Sequence, residues 1–383
     1  MKTPLFVSLL ALAACGDNHG TARGAGPVDA PIDTPVQPPG PARAVVVVGD
    51  FTPGDFGVLS TIDPVTRTVH KDVGPTGAVG NDPVLRHLGH ELLIVNRGDN
   101  NITILDDNTL ALVEQIGTGP GSFASDVAVA GNKLYVAATG TKGVIVLTRG
   151  STATPVIDLS ADDPDGLPDC NSVYLVGTQL YVACGLLTNF KATGRGKVYV
   201  VDTTTDTLQP ELTVTLTHNN PLGWFERFPA GAPNAGELMI PTVENFTAAP
   251  GCIERVAVGA APAPGGCLVD NPTLGGYAVR TDIEADGDGQ IVWAAVAFPN
   301  EFTRGELRAF DMSLGALWAG PLNPNTEQVT DVAHCPSGQV VVFDSTFGAP
   351  GVRVYEGTAE KTTAALSIGN AMQGLPQHGL VCY

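Results

Sequence analysis

Short apolar runs alternate with turn residues along almost the whole chain from Ala44 onward. Residues 125–149 show the pattern clearly, because the apolar runs 127–130 and 134–137 flank the turn dipeptide Gly131-Asn132 and a third run, 144–147, follows. None of these runs is as long as an ordinary helix, and none has a 3.6-residue period. The pattern predicts antiparallel hairpins that form a meander of short strands.

The meander repeats along the chain, and the second strand of each copy marks the period. The residues that open these strands are Val45, Leu92, Leu134, Leu180, Leu238, Ile291 and Val340, spaced 42 to 58 residues apart. Third strands fit the same register, and most of them end in an acid; they cover residues 57–63, 101–106, 196–202, 305–311 and 351–356. Seven copies of about four strands predict an all-β fold, a seven-bladed β-propeller of four-stranded antiparallel blades.

The first copy lacks an inner strand, since only Pro-rich sequence precedes its second strand at Ala44. Residues 378–382, HGLVC, align with residues 331–335, DVAHC, the inner strand of the last full blade. The C-terminal segment is therefore predicted to complete the first blade and close the ring, which removes two exposed sheet edges.

The N-terminus predicts export and lipid anchoring. Residues 1–14 combine an early lysine, an apolar run and small residues, which is the pattern of a secretory signal. The tetrapeptide Leu12-Ala13-Ala14-Cys15 resembles the lipobox of bacterial lipoproteins, and the resemblance implies cleavage before Cys15 and acylation of that residue. The alternative is an ordinary secreted protein in which the cysteine occurs by chance. Residues 15–43 then form the lipidated cysteine and a Pro-rich tether, and residues 44–383 form the propeller.

Charge and cysteine content narrow the partners and the compartment. The chain has a net charge of −19, so it repels nucleic acid and anionic lipid surfaces, and the membrane is reached through the anchor alone. The absence of a retention aspartate directly after Cys15 favours the outer membrane, facing either the periplasm or the cell surface. Six cysteines remain once Cys15 is set aside, and the blade register predicts three disulfides: Cys170–Cys184, Cys252–Cys267 and Cys335–Cys382.

The repeat resembles the YVTN family of bacterial β-propellers. The resemblance rests on residues 132–147, residues 178–185 with 196–208, and residues 91–113, and it covers blades two to four. It implies an extracytoplasmic seven-bladed ring and no particular reaction. Blades five and six depart from the pattern, so their loops are expected to carry any specific function.

Candidate binding residues lie where loops converge at one mouth of the ring. The loops predicted to meet there carry Arg97, Asp99, Lys191, Arg195, Glu244, Asn245, Glu301, Arg304 and Asp344. The entries of the inner strands add Asp126, Asp282 and Asp331, with His378 in register with Asp331. These side chains are interpreted either as a metal or ligand site on the axis or, with more weight, as caps on backbone N–H groups of neighbouring loops.

Two acidic stretches are candidates for calcium binding. Asp162, Asp163, Asp165 and Asp169 form an acidic loop that is either a Ca²⁺ site or simply solvated, and residues 282–289 resemble a calcium loop without its later glutamate. His87 and His90 flank a predicted hairpin turn as exposed residues. The sequence contains no CxxCH, GxSxG, phosphate-loop or HExxH motif.

Two function hypotheses follow. The first is a membrane-anchored binding or scaffold module whose loop face meets a protein, a glycan or a small ligand, with no certain cofactor. The second is a lactonase-like hydrolase with a divalent metal on the axis, for which Glu244, Asn245, Asp282 and Asp331 are the nearest ligand set. Convergence of those four side chains around an axial cavity would favour the enzyme.

Overall fold

Seven antiparallel sheets form the blades of a β-propeller, as the repeat predicted. The computed structural model describes residues 42–50, 56–246, 249–284, 291–298, 301–322, 328–346, 350–369, 373–374 and 379–383. Each blade has its first strand innermost and its fourth strand outermost, and blades are numbered here in the order of their second strands along the chain.

The strands of the seven blades have these bounds, always in the order blade 1 to blade 7. Innermost strands are Leu380–Cys382, Pro83–Leu88, Ala124–Ala130, Cys170–Val176, Glu226–Arg227, Tyr277–Ile283 and Val329–His334. Second strands are Ala44–Asp50, Glu91–Asn96, Lys133–Ala138, Gln179–Cys184, Leu238–Pro241, Ile291–Phe298 and Gln339–Asp344. Third strands are Val58–Ile62, Asn101–Asp106, Gly143–Thr148, Lys197–Asp202, Cys252–Ala257, Glu301–Asp311 and Gly351–Glu356. Outermost strands are Val69–His70, Leu112–Gly117, Val156–Asp158, Thr207–Leu208, Ala263–Asp270, Ala316–Ala319 and Ala359–Glu360.

A few short elements are present in addition to the four-stranded blades. Val214–Thr215 and Leu366–Ser367 extend the outer edges of blades 4 and 7, and Gln373–Gly374 pairs with the end of the second strand of blade 1. A separate hairpin joins Leu187–Thr188 to Lys191–Ala192. The helical elements among the described residues are one α-helical turn, Asn271–Leu274, and two 3₁₀ turns, Ser160–Asp162 and Pro210–Leu212. In that part of the chain, none of the helices has the length and apolar character needed to cross a bilayer.

The C-terminal strand closes the ring, which confirms the prediction from the HGLVC alignment. Val381 pairs with Val45 and Cys382 pairs with Ala44, so the last strand of the chain becomes the innermost strand of blade 1. Tyr383 continues the pairing, because its N–H and C=O both bond to the backbone of Arg43 at 3.0 and 2.7 Å. The ring of Tyr383 stacks on His87 of blade 2 at 3.9 Å between centroids. His87 is therefore partly buried, contrary to prediction, whereas His90 is exposed as expected.

The apolar core is divided among the spaces between neighbouring blades. Leu93 and Val95 of blade 2, for example, pack with Val127 and Val136 of blade 3, and each is at most 2% exposed. Equivalent clusters fill the other inter-blade spaces, including that between blades 7 and 1. Burying one aliphatic side chain of this size is worth roughly 1.5–3 kcal/mol, so each blade depends on its two neighbours for most of its stability.

The acid that ends most third strands has a structural role. Asp63, Asp106, Asp202 and Asp311 each accept a hydrogen bond from the backbone N–H of the residue two or three positions later, at 2.7 to 2.9 Å. These bonds, with hydroxyl bonds at three of the sites, lower the pKa of each carboxyl. The repeated acid therefore fixes the turn between the third and fourth strands.

The three disulfides have the predicted pairing. Cys170 and Cys184 are directly paired across the first two strands of blade 4. Cys335 and Cys382 join blade 7 to the closing strand of blade 1 over 47 positions of sequence. The ring seam is thus held by a covalent bond as well as by backbone pairing.

Candidate functional site

Charged side chains from inner strands on different sides of the ring meet at its axis. Arg86 of blade 2 lies 3.7 Å (Nη1 to Oε1) from Glu226 of blade 5, and Glu226 forms an ion pair with Arg280 of blade 6. Arg280 Nε in turn lies 3.2 Å from Asp331 Oδ1 of blade 7. Glu226 is the most exposed of the four side chains at 18%. The axis therefore contains a continuous network of alternating charge, which we call the axial cluster: Arg86, Asp126, Glu226, Arg280, Asp282 and Asp331.

Asp126 anchors one end of this cluster. Its two carboxylate oxygens accept hydrogen bonds from Arg86 Nε and Nη2 at 2.7 and 2.8 Å. They also accept bonds from the hydroxyl of Ser172 at 2.8 Å and the backbone N–H of Val173 at 2.9 Å, both in blade 4. Ser172 then accepts the N–H of Phe225 at the entry to blade 5. Asp126 thus joins three blades, and its side chain is fully buried.

Asp282 and Asp331 act in the same way at the other side of the ring. Asp282 Oδ2 accepts the N–H of His334 in blade 7 at 3.1 Å. Asp331 Oδ2 accepts the N–H groups of Gly379 and Leu380 in blade 1, both at 2.8 Å. All three inner-strand acids therefore cap backbone N–H groups of the next blade, which is the structural interpretation that the sequence favoured.

Burial changes the proton affinity of this region. Burial raises the pKa of Asp282 to about 7, and the neighbouring Glu226 carboxylate adds to the increase. Burial likewise raises the pKa of Asp331 to about 7, against the opposing effects of Arg280 and of its backbone donors. Although burial opposes its charge, Arg280 has a raised pKa because Glu226, Asp331 and Asp282 surround it.

The predicted rim residues are spread over several separate contacts. Asn245 Oδ1 accepts the N–H of Ala192 at 2.6 Å, and the Asn245 C=O accepts the side chain of Asn220, so this residue ties two loops together. Asp344 is buried and bonds to Arg353 at 2.9 Å. Further rim contacts join Arg97 to Asp82 at 3.5 Å, Asp99 to the N–H of Asn81 at 2.9 Å, and Arg304 to Glu301 at 3.2 Å.

Three of the predicted rim residues do not lie in loops. Asp344 belongs to the end of a strand and is 2% exposed, so it does not lie on a loop face. Glu301 and Arg304 lie within the long third strand Glu301–Asp311 and not in a loop before it. Cys15, His378 and residues 285–289 of the calcium-like stretch lie outside the described residues.

The described residues do not bring the proposed axial metal ligands together. Among them, the group of three His, Cys, Asp or Glu side chains close enough to hold one ion is His218, Cys252 and Cys267, away from the axis. In the acidic loop, Asp162 pairs with Lys197 at 2.6 Å, Asp163 caps the N–H of Asp165, and Asp169 accepts the N–H of Leu187. Asp163 and Asp169 thus hold local backbone, Asp162 holds a lysine of the neighbouring strand, and Asp163 is buried.

Exposed aromatic side chains mark one face of the ring. The connections from second to third strands, and those from one blade to the next, carry the exposed phenylalanines of the described chain, namely Phe56, Phe123, Phe190 and Phe246. Phe190 is 70% exposed at the tip of the Leu187–Ala192 hairpin, and its ring centroid is 6.0 Å from that of Phe246 in blade 5. We call this face the aromatic face. The charge pattern of the sequence did not predict the aromatic face. Four phenylalanines in loop positions were the sequence signal that could have indicated it.

The backbone at this face is strained. Phe123 and Phe190 have φ angles of 47° and 62°, and Asn189 and Asn245 have φ angles of 52° and 53°. Bulky residues rarely adopt this left-handed conformation, which costs about 1–2 kcal/mol for residues other than glycine. Strain of this kind concentrates at sites of recognition. Lys191 on the same hairpin and Arg195 three residues after it are exposed and add positive charge to this loop.

Comparison with solved structures gives the fold. A protein from Lactobacillus plantarum matches with a TM-score of 0.60 and 15% identity, over 89% of this chain and 98% of that one. A periplasmic gluconolactonase from Pseudomonas aeruginosa and a putative 6-phosphogluconolactonase from Bacteroides uniformis match with TM-scores of 0.58 and 0.57, each at 15% identity over 87% of this chain and 98% of the other. No protein-family model matches the chain, and no curated protein does. At this identity the chain is similar to these proteins in fold alone.

Proposed function

We propose that the protein is an extracytoplasmic lipoprotein whose propeller binds a partner protein through its aromatic face. The observation that carries this proposal is Phe190, a large apolar side chain that is 70% exposed on a strained backbone. Neither packing nor turn chemistry explains a phenylalanine at this position, since a two-residue turn with positive φ favours Asn-Gly. Recognition of another molecule does explain it.

The surroundings of Phe190 favour a protein over a glycan. Phe190 and Phe246 together offer an apolar contact, and aromatic side chains are enriched at the centres of protein interfaces. Lys191 and Arg195 place positive charge beside them on a chain whose net charge is −19. We therefore infer a partner that presents an apolar side chain flanked by carboxylates.

The point at which the propeller begins agrees with this arrangement. Arg43 forms backbone hydrogen bonds with Tyr383 and directly precedes the second strand of blade 1. Second strands run from the opposite end of the ring towards the aromatic face, since the connections to third strands lie on that face. The propeller thus begins at the end of the ring away from the proposed binding surface. Replacement of Cys15 by serine is expected to release the protein from the membrane fraction, which we expect to be the outer membrane.

Site-specific photocrosslinking in living cells tests the binding surface. A benzophenone amino acid is placed at position 190 or 246, and at position 314 as the matched control, because Leu314 is 72% exposed in a turn at the other end of the ring. We expect one discrete, protease-sensitive adduct from positions 190 and 246 and none from 314. A Lys191→Glu/Arg195→Glu variant should weaken that adduct. Equal adducts at all three positions, or protease-resistant adducts that indicate a glycan, would contradict the proposal.

A hydrolase with its site at the axial cluster is the second candidate. Two structural neighbours are named as gluconolactonases, and the axis of this chain holds two arginines beside Glu226 and Asp282. Arginines of this kind suit an anionic substrate, and a carboxyl with a pKa of about 7 suits proton transfer near neutrality. Hydrolysis of a phosphorylated sugar lactone followed by pH-stat, with Glu226→Gln as the test variant, decides this. A rate equal to spontaneous hydrolysis for the unmodified protein removes the candidate.

A further inference from the structure

The Cys252–Cys267 disulfide has a histidine against both of its sulfur atoms. His218 Nδ1 lies 3.5 Å from Cys252 Sγ and 3.9 Å from Cys267 Sγ. The two cysteines belong to the third and fourth strands of blade 5, and His218 belongs to the connection that enters that blade. The three ligand atoms all lie within 4.8 Å of one another.

A buried glutamate holds the histidine in this place. Glu254 is fully buried, and its carboxylate accepts the backbone N–H groups of Thr217 and His218, both at 2.8 Å. It also contacts His218 Nδ1 at 3.0 Å and the hydroxyl of Thr242 at 3.3 Å. These contacts fix both the backbone and the ring of His218, so the approach of the imidazole to the sulfurs is a built feature of blade 5.

This disulfide is also the one that solvent reaches most readily. Cys252 is buried but Cys267 is exposed. Both partners of the Cys170–Cys184 bond are fully buried, and in the seam bond Cys335 is buried and Cys382 is half-buried. Thiol–disulfide exchange requires access of the attacking thiolate to one sulfur, so Cys252–Cys267 is exposed to attack at Cys267.

The three side chains have the donor set and the spacing of a zinc centre. With Zn–S bonds near 2.3 Å and Zn–N bonds near 2.0–2.1 Å, a tetrahedral ion holds its nitrogen and sulfur ligands about 3.6 Å apart. The two observed nitrogen–sulfur distances, 3.5 and 3.9 Å, bracket that value. Two changes are needed. The sulfurs must separate, which breaking their bond permits, and His218 Nδ1 must exchange its contact with Glu254 for the ion.

We propose that reduction of Cys252–Cys267 converts this part of blade 5 into a Zn²⁺ site with Cys252, Cys267 and His218 as ligands. A dithiol, either a small molecule or a thiol–disulfide oxidoreductase, supplies the two electrons. One thiolate of the dithiol attacks Cys267 Sγ, the Sγ–Sγ bond breaks, and Cys252 leaves as a thiolate beside His218. The second thiol of the dithiol then displaces Cys267 and becomes the oxidised disulfide. Binding of the ion releases the remaining thiol protons, and His218 binds through Nδ1 as a neutral imidazole with its proton on Nε2.

Two measurements on the full-length exported protein test this. Graded reduction with dithiothreitol, followed by alkylation and peptide mapping, should label Cys252 and Cys267 before the four cysteines of the other two disulfides. Protein reduced to that stage should bind one Co²⁺ with a thiolate charge-transfer band, and one Zn²⁺ should displace it. The oxidised protein should show no such band.

Variants separate the site from adventitious binding. Cys252→Ser/Cys267→Ser should abolish the band, and His218→Gln, which leaves the disulfide able to form, should weaken Zn²⁺ affinity at least about tenfold. His90→Gln is the matched control, because His90 is fully solvated on another blade. The proposal is overturned by a different order of labelling, by loss of near-ultraviolet circular dichroism when this bond opens, or by equal affinities in the two histidine variants.

Discussion

Asp331 in the last blade holds Leu380 of the closing strand through a carboxylate-to-N–H bond of 2.8 Å. The same carboxylate is paired with Arg280 of blade 6, so one buried acid connects three consecutive blades across the seam. Ring closure in this propeller therefore depends on a polar contact at the axis as well as on strand pairing and a disulfide.

Replacement of Asp331 by alanine should destabilise the whole ring. The change removes the acceptor of the buried N–H groups of Gly379 and Leu380. A buried donor left without a partner costs roughly 1–3 kcal/mol. Urea unfolding at pH 6, below the raised pKa of Asp331, measures the loss without the cost of burying its charge. Glu211→Gln on the surface is the control, and a loss for Asp331→Ala as small as that of the control would mean that strand pairing alone closes the ring.

The seam disulfide should contribute more than the hairpin disulfide of blade 4. Cys335–Cys382 spans 47 positions and Cys170–Cys184 spans 14, so the chain-entropy model gives the seam bond an advantage of about 1 kcal/mol within a range of roughly 2–4 kcal/mol. Paired serine variants of each disulfide, compared by denaturant unfolding, measure this difference. Equal losses would show that the closing strand stays docked without the covalent bond.

Asp282 should make the protein less stable as the pH rises from about 4 to about 7. Burial raises its folded-state pKa to about 7, while the unfolded chain titrates near 3.8, so the folded state binds more protons across that interval. Unfolding free energy falls with pH wherever the folded state holds more protons. Asp282→Asn mimics the neutral acid and should flatten this part of the profile, which chemical denaturation at several pH values will reveal. A steeper or unchanged slope in the variant would show that Asp282 is already ionised in the folded state over this pH range.

The sequence predicted the ring because the pattern that specifies a blade is local. Short apolar strands and turn dipeptides recur along the chain, most third strands end in an acid, and the C-terminal match to the last inner strand was enough to predict closure. Disulfide pairing followed from the same register, since Cys170 and Cys184 lie opposite each other on one hairpin.

The sequence predicted only three of the six residues of the axial cluster. Asp126, Asp282 and Asp331 were found because acids stand at similar positions near the entry of inner strands, but Arg86, Glu226 and Arg280 were missed. Arg86 and Glu226 are 140 positions apart and meet only because blades 2 and 5 face each other across the ring. The strained backbone of Phe190 could not be predicted either, because the hairpin that imposes it is an insertion outside the repeat.

Replacement of Phe190 by glycine should separate recognition from stability. The turn would become Asn189-Gly, which suits two consecutive residues with positive φ and relieves about 1–2 kcal/mol of strain. Loss of the contact between Phe190 and Phe246 costs roughly 0.5–1.5 kcal/mol. These effects oppose each other, so the unfolding free energy should stay within about 1 kcal/mol of the unmodified protein while the crosslink from position 246 to the partner is lost. Leu314→Ala, at the other end of the ring, should keep that crosslink. A Phe190→Gly variant that unfolds easily but still crosslinks would assign this side chain to folding and not to recognition.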